Sequence, residues 1–193
     1  MKGAIMATTG KNTAEVHVGG PKQAGYAFYA PLGSKRPTDG AAALDAAYID
    51  LGYVADDGID VKLDNSTDKV LDWNLDTIAV IQKSNSASIE VTFDQMSAAV
   101  GKALFGAGNV KVGTSGAVTA ISYTGEVLPH AQFAFCLHDA NGDGVLDIGD
   151  GQITGIDSIP FKKTEVVSFK TTIELFKDSA GKFFNWYLGA ASA

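Results

Sequence analysis

With one cysteine, Cys136, in 193 residues, the chain can form neither an intramolecular disulfide nor a two-cysteine zinc half-site. The strand-like surroundings of that cysteine suggest a buried thiol that behaves as a small hydrophobe. Basic residues are scarce, 15 against 22 acidic for a net charge of -7, so the chain has no footprint for phosphate backbones and ordinary nucleic-acid binding is not expected. No apolar run is long enough to span a bilayer. Residues 1–9 lack the apolar core of about seven residues or more that a secretory signal needs, and a soluble, unexported chain is expected. Catalytic constellations are also missing. No glycine-rich phosphate loop precedes a helix, no serine-elbow motif is present, and His17 and His130 are isolated. Cys136 and His138, two residues apart on one strand, read as core and edge positions rather than nucleophile and base. The chain is not expected to be an enzyme.

Hydrophobic residues make up 46% of the chain, enough for one packed domain spanning residues 1–193, with a flexible N-terminal arm at 1–13 and a breaker-rich loop at 31–41. The most regular stretch is residues 86–94, where Ile89, Val91 and Phe93 alternate with polar neighbours as in a half-buried strand. The period then changes. Met96, Ala99, Val100, Ala103 and Leu104 fall on one face of a helix, with Asp94 placed to cap its start and Gly106 or Gly108 to end it.

Other segments follow the same logic. Residues 24–30 predict a strand, and residues 15–18 a short one before Gly19, Gly20 and Pro21. Residues 41–51 predict about one helical turn followed by an extended piece. Asp56, Asp57 and Gly58 suggest a turn; Ile59, Val61 and Leu63 alternate with Asp60, Lys62 and Asp64; Asn65 to Asp68 suggest a second turn, with Leu71, Trp73 and Leu75 on one face beyond it. Residues 77–83 and 86–94 predict a hairpin across Ser84 and Asn85. Short strands follow at 109–112 and 117–123, then at 133–137, 145–156, 167–175 and 183–188. About ten strands and one helix predict a mainly β fold, a sandwich or barrel with one short α-helix packed on it.

Between Asp56 and Asp76 there are seven aspartates and two lysines, which reads first as a solvated strand face that keeps the protein soluble. A second acidic stretch is more motif-like. Asp139, Asn141, Asp143, Asp147 and Asp150 occupy positions 1, 3, 5, 9 and 12 of a calcium loop, with Gly144 at 6 and the Val145 carbonyl at 7. The flanking segments alternate as strands rather than helices, so the same residues also read as a metal-free β-hairpin with a tip of turn formers.

The run from Ala42 to Ile59, in which Leu51, Gly52 and Tyr53 and then Asp56, Asp57 and Gly58 follow the alanine-rich segment Ala42 to Ala47, resembles the major tail tube proteins of long-tailed, non-contractile bacteriophages, particularly those of actinobacterial hosts. Leu71 to Asn74 stands at the place of that family's tryptophan-containing strand, Ser88 to Phe93 at that of the strand before its helix, and Val100 to Val110 at that of its helix and following turn. The resemblance covers roughly residues 25–187 and is looser after Val110. The hairpin tip with the calcium-like loop is where this sequence departs from the family.

The resemblance implies a β-sandwich subunit that forms hexameric rings stacked into a hollow tube, similar in architecture to the tube protein of type VI secretion systems. It implies a structural virion protein, located in the phage tail and assembled in the bacterial host cytoplasm. Its implied partners are further copies of itself and the tape-measure, tail terminator and baseplate proteins; DNA passes through the lumen without specific binding, and no membrane is involved. An acidic lumen would repel phosphates and let DNA slide, which makes Asp56, Asp57, Asp60, Asp64, Asp68 and Asp72 candidates for the lumen or an assembly surface, and the loop after Pro31 one for stacking. No cofactor is implied. The competing reading is a calcium-dependent binding or adhesion module using residues 139–150 and exposed aromatics such as Trp73, Trp186 and Tyr187.

Overall fold

The structure, a computed structural model, describes residues 16–188; the expected arm at 1–13 lies outside the described residues. Ten strands and one α-helix follow in chain order: β1 (Ala27–Pro31), β2 (Ile49–Asp50), β3 (Val54–Leu71), β4 (Thr77–Phe93), α1 (Ala98–Phe105), β5 (Val110–Val112), β6 (Val118–Ile121), β7 (Ala131–Asp139), β8 (Gly142–Ile156), β9 (Phe169–Leu175) and β10 (Asn185–Leu188). The main sheet is antiparallel, in the order β2-β1-β7-β8-β9-β4-β3, with β10 added along β8. β5 and β6 form a separate two-stranded sheet. The fold is mainly β with one short helix packed on it.

Alternation explains the core. On β4, Ala87, Ile89, Val91 and Phe93 are buried while the residues between them are half-buried. β9 answers with the same pattern, so Ile89 faces Ile173 and Phe93 faces Phe169, and Ile153 of β8 meets Ile173 from the other side. Each such side chain contributes roughly 1.5–3 kcal/mol of transfer free energy. The helix closes this face with Val100, Ala103, Leu104 and Phe105, the Phe105 ring standing edge-on to Phe169 at 6.0 Å. Ser97, not Asp94, caps it: the Ser97 hydroxyl accepts the Val100 N–H, because Asp94 is still held to the segment just before β3 through its own N–H and the Tyr53 carbonyl. Gly106, at φ +87°, ends the helix.

On the opposite face, Ala30, Tyr48, Ala134, Cys136 and Val145 form a smaller cluster, and Cys136 is buried as its surroundings suggest. The chain between β1 and β2 runs to this cluster and contains no helical turn. Asp39 accepts the N–H groups of Ala41 and Ala42, and Asp45 accepts that of Ala47, so side-chain turns displace the helix that the apolar spacing suggested. Among residues 16–18 no strand forms; Pro21 makes only an isolated bridge to Leu137.

The largest departure from expectation is the length of β3 and β4. Neither Asn65 to Asp68 nor Ser84 and Asn85 turns the chain. Asn65 pairs with Asn85 and Ser66 with Ser84 across one continuous hairpin, with a bulge at that level. Asp56, Asp57 and Gly58 form an irregularity within β3 rather than a turn: Val54 faces Phe93 but Ile59 faces Val91, and Gly58 takes φ +73°. The only reversal is at Asp72–Asp76, so Leu71, Trp73 and Leu75 do not share a strand face.

Candidate functional site

The β3–β4 hairpin is anchored at one end and free at the other. Residues 87–93 of β4 sit between β3 and β9, whereas residues 77–86 have no strand neighbour except β3 and are all exposed. β3 ends the sheet, so its outer edge has no strand partner among the described residues. Eight carboxylates and three lysines lie within residues 54–93, so most of the net charge of the chain is carried by this one hairpin.

Strand alternation divides the six candidate aspartates. Asp60, Asp64 and Asp68 project from one face of β3, opposite the face of Val61 and Leu63. Glu90 shares their face as the cross-strand partner of Asp60. Lysines answer part of this charge: Lys83 reaches Asp68 at 2.5 Å, Lys62 pairs with Glu90, and Lys170 lies 3.5 Å from Glu90. Asp60 and Asp64 have no ion-pair partner among the described residues. The Lys62 hydrogen bond, followed by the nearby Lys170 charge, holds the Glu90 carboxyl below its ordinary value.

Asp56 and Asp57 sit apart from that row, at the irregularity in β3. Burial, and then the charges of Asp57 and Asp56, push the Asp94 carboxyl up, which marks this corner as crowded with negative charge. A groove of about 660 Å³ opens beside it, lined by Val61, Leu63, Phe135, Leu146, Phe184 and Trp186 among others. Asp72 has a third environment. Its carboxylate accepts the N–H groups of Asn74 and Asp76 and so builds the hairpin turn.

That turn exposes apolar side chains. Trp73 is 100% exposed and Leu75 76%, and Ile78, Val80 and Ile81 follow on the free half of β4. Leu75 is also the only non-glycine residue at positive φ among the described residues, at 68°.

The residues of the calcium-like loop form a hairpin, β7–β8, with its tip at Asp139–Gly142. Asn141 sits in the turn while Asp139, Asp143, Val145, Asp147 and Asp150 are spread along the two strands, and among the described residues no group of three or more acidic, histidine or cysteine side chains is placed to hold a metal. Their carboxylates have other partners. Asp139 meets His17 at 2.8 Å, Asp143 meets Lys22 at 2.7 Å and His138 at 2.6 Å, and Asp150 meets His130 at 2.6 Å. Asp147 is fully buried and takes a two-nitrogen clasp from Arg36, whose third nitrogen binds Asp178 at 2.6 Å. Burial works against the Arg36 charge, but the hydrogen bonds to Asp147 and Asp178 outweigh it and raise its pKa. Arg36 therefore ties the loop after β1 across β8, a role that the unpatterned loop sequence did not reveal.

A family model described as "Phage tail tube protein" matches residues 9–192. The chain belongs to the phage tail tube protein family. It is thus a structural component of a phage tail rather than an enzyme. A solved structure, the cryo-EM structure of the anti-feeding prophage cap (AFP tube terminating cap), aligns with 95% of this tail tube chain and 100% of its own at 10% identity and a TM-score of 0.43. No curated protein sequence matches the chain.

Proposed function

We propose that this tail tube protein assembles head to tail into hexameric rings, which stack into the hollow tube through which the phage genome is delivered. Family membership supports a tail role, and the observation that carries the assembly reading is the β3–β4 hairpin. It extends past its own sheet, has an unpaired edge on the 18-residue β3 and exposes apolar side chains at its tip. An edge of that length is an aggregation hazard unless another chain covers it, and a contact between two different surfaces, repeated, closes into rings or grows into filaments.

On this reading Asp60, Asp64 and Asp68, with Asp56, Asp57 and Asp72, supply the acidic surface of the lumen or of the ring joint, where like charge keeps DNA from sticking. The tape-measure, tail terminator and baseplate proteins are the expected partners within the virion tail, which is assembled in the host cytoplasm, and the sequence resemblance points to phages of actinobacterial hosts. Replacing Asp60, Asp64 and Asp68 together with lysine tests the placement. Tube assembly or genome delivery is expected to stall, and normal infectivity of a phage carrying the triple variant would rule out a lumen position.

A further inference from the structure

The exposed turn at Asp72–Asp76 is built at a cost. A non-glycine residue at positive φ is strained, and Leu75 bears that strain without gaining burial in its own chain, since it is 76% exposed. Beside it Trp73 is wholly exposed, although aromatic side chains contribute most when buried at an interface. Asp72 fixes the turn through two backbone hydrogen bonds. A rigid, strained turn therefore presents one aromatic and one aliphatic side chain between two aspartates, Asp72 and Asp76.

The described surface offers several recesses for such a tip, and charge chooses between them: two small ones contain Asp139 and Asp143, or Asp57, Asp60 and Glu90, leaving three larger apolar ones. The groove of about 660 Å³ is flanked by Asp56 and Asp57, and a second of about 610 Å³ by Glu126 and Asp157; both repel an acidic tip. The third, about 250 Å³, has no acid in its lining. It lies between α1 and the sheet, lined by Ile49 of β2, Tyr29 of β1, Phe133 of β7 and Ile153 of β8, with Lys102 and Ala107 on the helix side. Lys102 is exposed and makes no ion pair among the described residues. Its volume suits a single aromatic side chain.

We propose that Trp73 at the hairpin tip of one copy enters this recess beside α1 on a second copy, with Lys102 meeting Asp72 and Asp76. The proposal rests on the tube reading and names its contact residues. Position in the fold supports it: the tip belongs to β3–β4 at one end of the sheet order, while the recess extends from β8 across β7 and β1 to β2 at the other. A tip and a recess on opposite ends make a head-to-tail contact, which can repeat from copy to copy.

The test uses the full chain. In Asn74→Cys with Ala107→Cys, both exposed positions, a short bismaleimide is expected to link neighbouring copies in assembled particles and give a ladder of covalent oligomers, which neither single variant gives. Trp73→Ala should raise the protein concentration needed for assembly about tenfold or more with an unchanged monomer Tm. Lys102→Asp should impair assembly, and Asp76→Lys in the same chain should restore it. Rings or tubes that form without the ladder, or a Trp73→Ala chain that assembles at the wild-type concentration, would overturn the pairing and leave the tube reading standing. A chain that forms no rings under any condition would overturn both.

Discussion

Arg36 and Asp147 show how much a single ion pair can govern in this molecule. Asp147 is fully buried, and a carboxylate without water is tolerable only with its charge matched and its oxygens bonded. Arg36 does both and continues to Asp178. Arg36→Ala leaves the Asp147 charge buried and unmatched, with only the Asn185 amide donating to it at 3.4 Å, and the expected loss is about 3–5 kcal/mol, read as a large fall in urea midpoint. The same contact sets an acid limit. The Arg36 hydrogen bond holds the Asp178 carboxyl below its ordinary value, and those from Lys22 and His138 do so for Asp143. Folded pKa values below unfolded ones mean stability that is full above the unfolded carboxylate value of about 3.9 and is lost as pH falls below it. Tm should therefore hold level down to about pH 5 and drop below about pH 4, with a shallower drop in Arg36→Ala. Calcium tests the other acidic residues. With Asp139, Asp143, Asp147 and Asp150 engaged by His17, Lys22, Arg36 and His130, millimolar calcium should leave Tm unchanged; a rise that Asp143→Ala abolishes would restore the calcium loop.

At the scale of elements, the hairpin turn carries a sharp expectation. Leu75→Gly removes the positive-φ penalty and should stabilise the isolated chain by about 1 kcal/mol, measured by chemical denaturation. A loss instead would mean that the Leu75 side chain holds the turn. What the sequence made legible follows from period. Residues 87–93 of β4 and the whole of β9 bury every second residue and α1 buries one stripe, so these elements could be read directly, whereas β7 buries six residues in succession from Ala131 to Cys136. The length of the β3–β4 hairpin could not. Asn65, Ser66, Ser84 and Asn85 are as acceptable in a polar, two-sided ribbon as in a turn, and no residue-level signal separates the two uses. The true turn at Asp72–Asp76 was hidden in turn, because Trp73 and Leu75 mimic strand alternation. The aspartates were legible as an acidic stretch, but only the register shows that Asp60, Asp64 and Asp68 share a face while Asp56 and Asp57 sit at a bulge and Asp72 builds a turn. The Arg36 clasp joins residues 111 positions apart and left no local trace.

For the whole molecule, the opposition between a well-packed half and a projecting half is the main architectural fact. Residues 87–93 of β4 sit in a core of phenylalanine and isoleucine, yet the same strand continues through ten exposed residues to an apolar tip. A monomer gains little from that extension, because an isolated two-stranded ribbon is marginally stable in water. A second chain that pairs with the edge or covers the tip changes the balance, which is the ground on which assembly rather than ligand binding is proposed. The most direct test is electron microscopy of the purified full-length chain across a range of concentrations, with sedimentation velocity on the same samples. Stacked rings with an open central channel, growing in length with concentration and needing no ligand, are the predicted result. A chain that stays monomeric at high concentration, with no rings or tubes, would contradict the account.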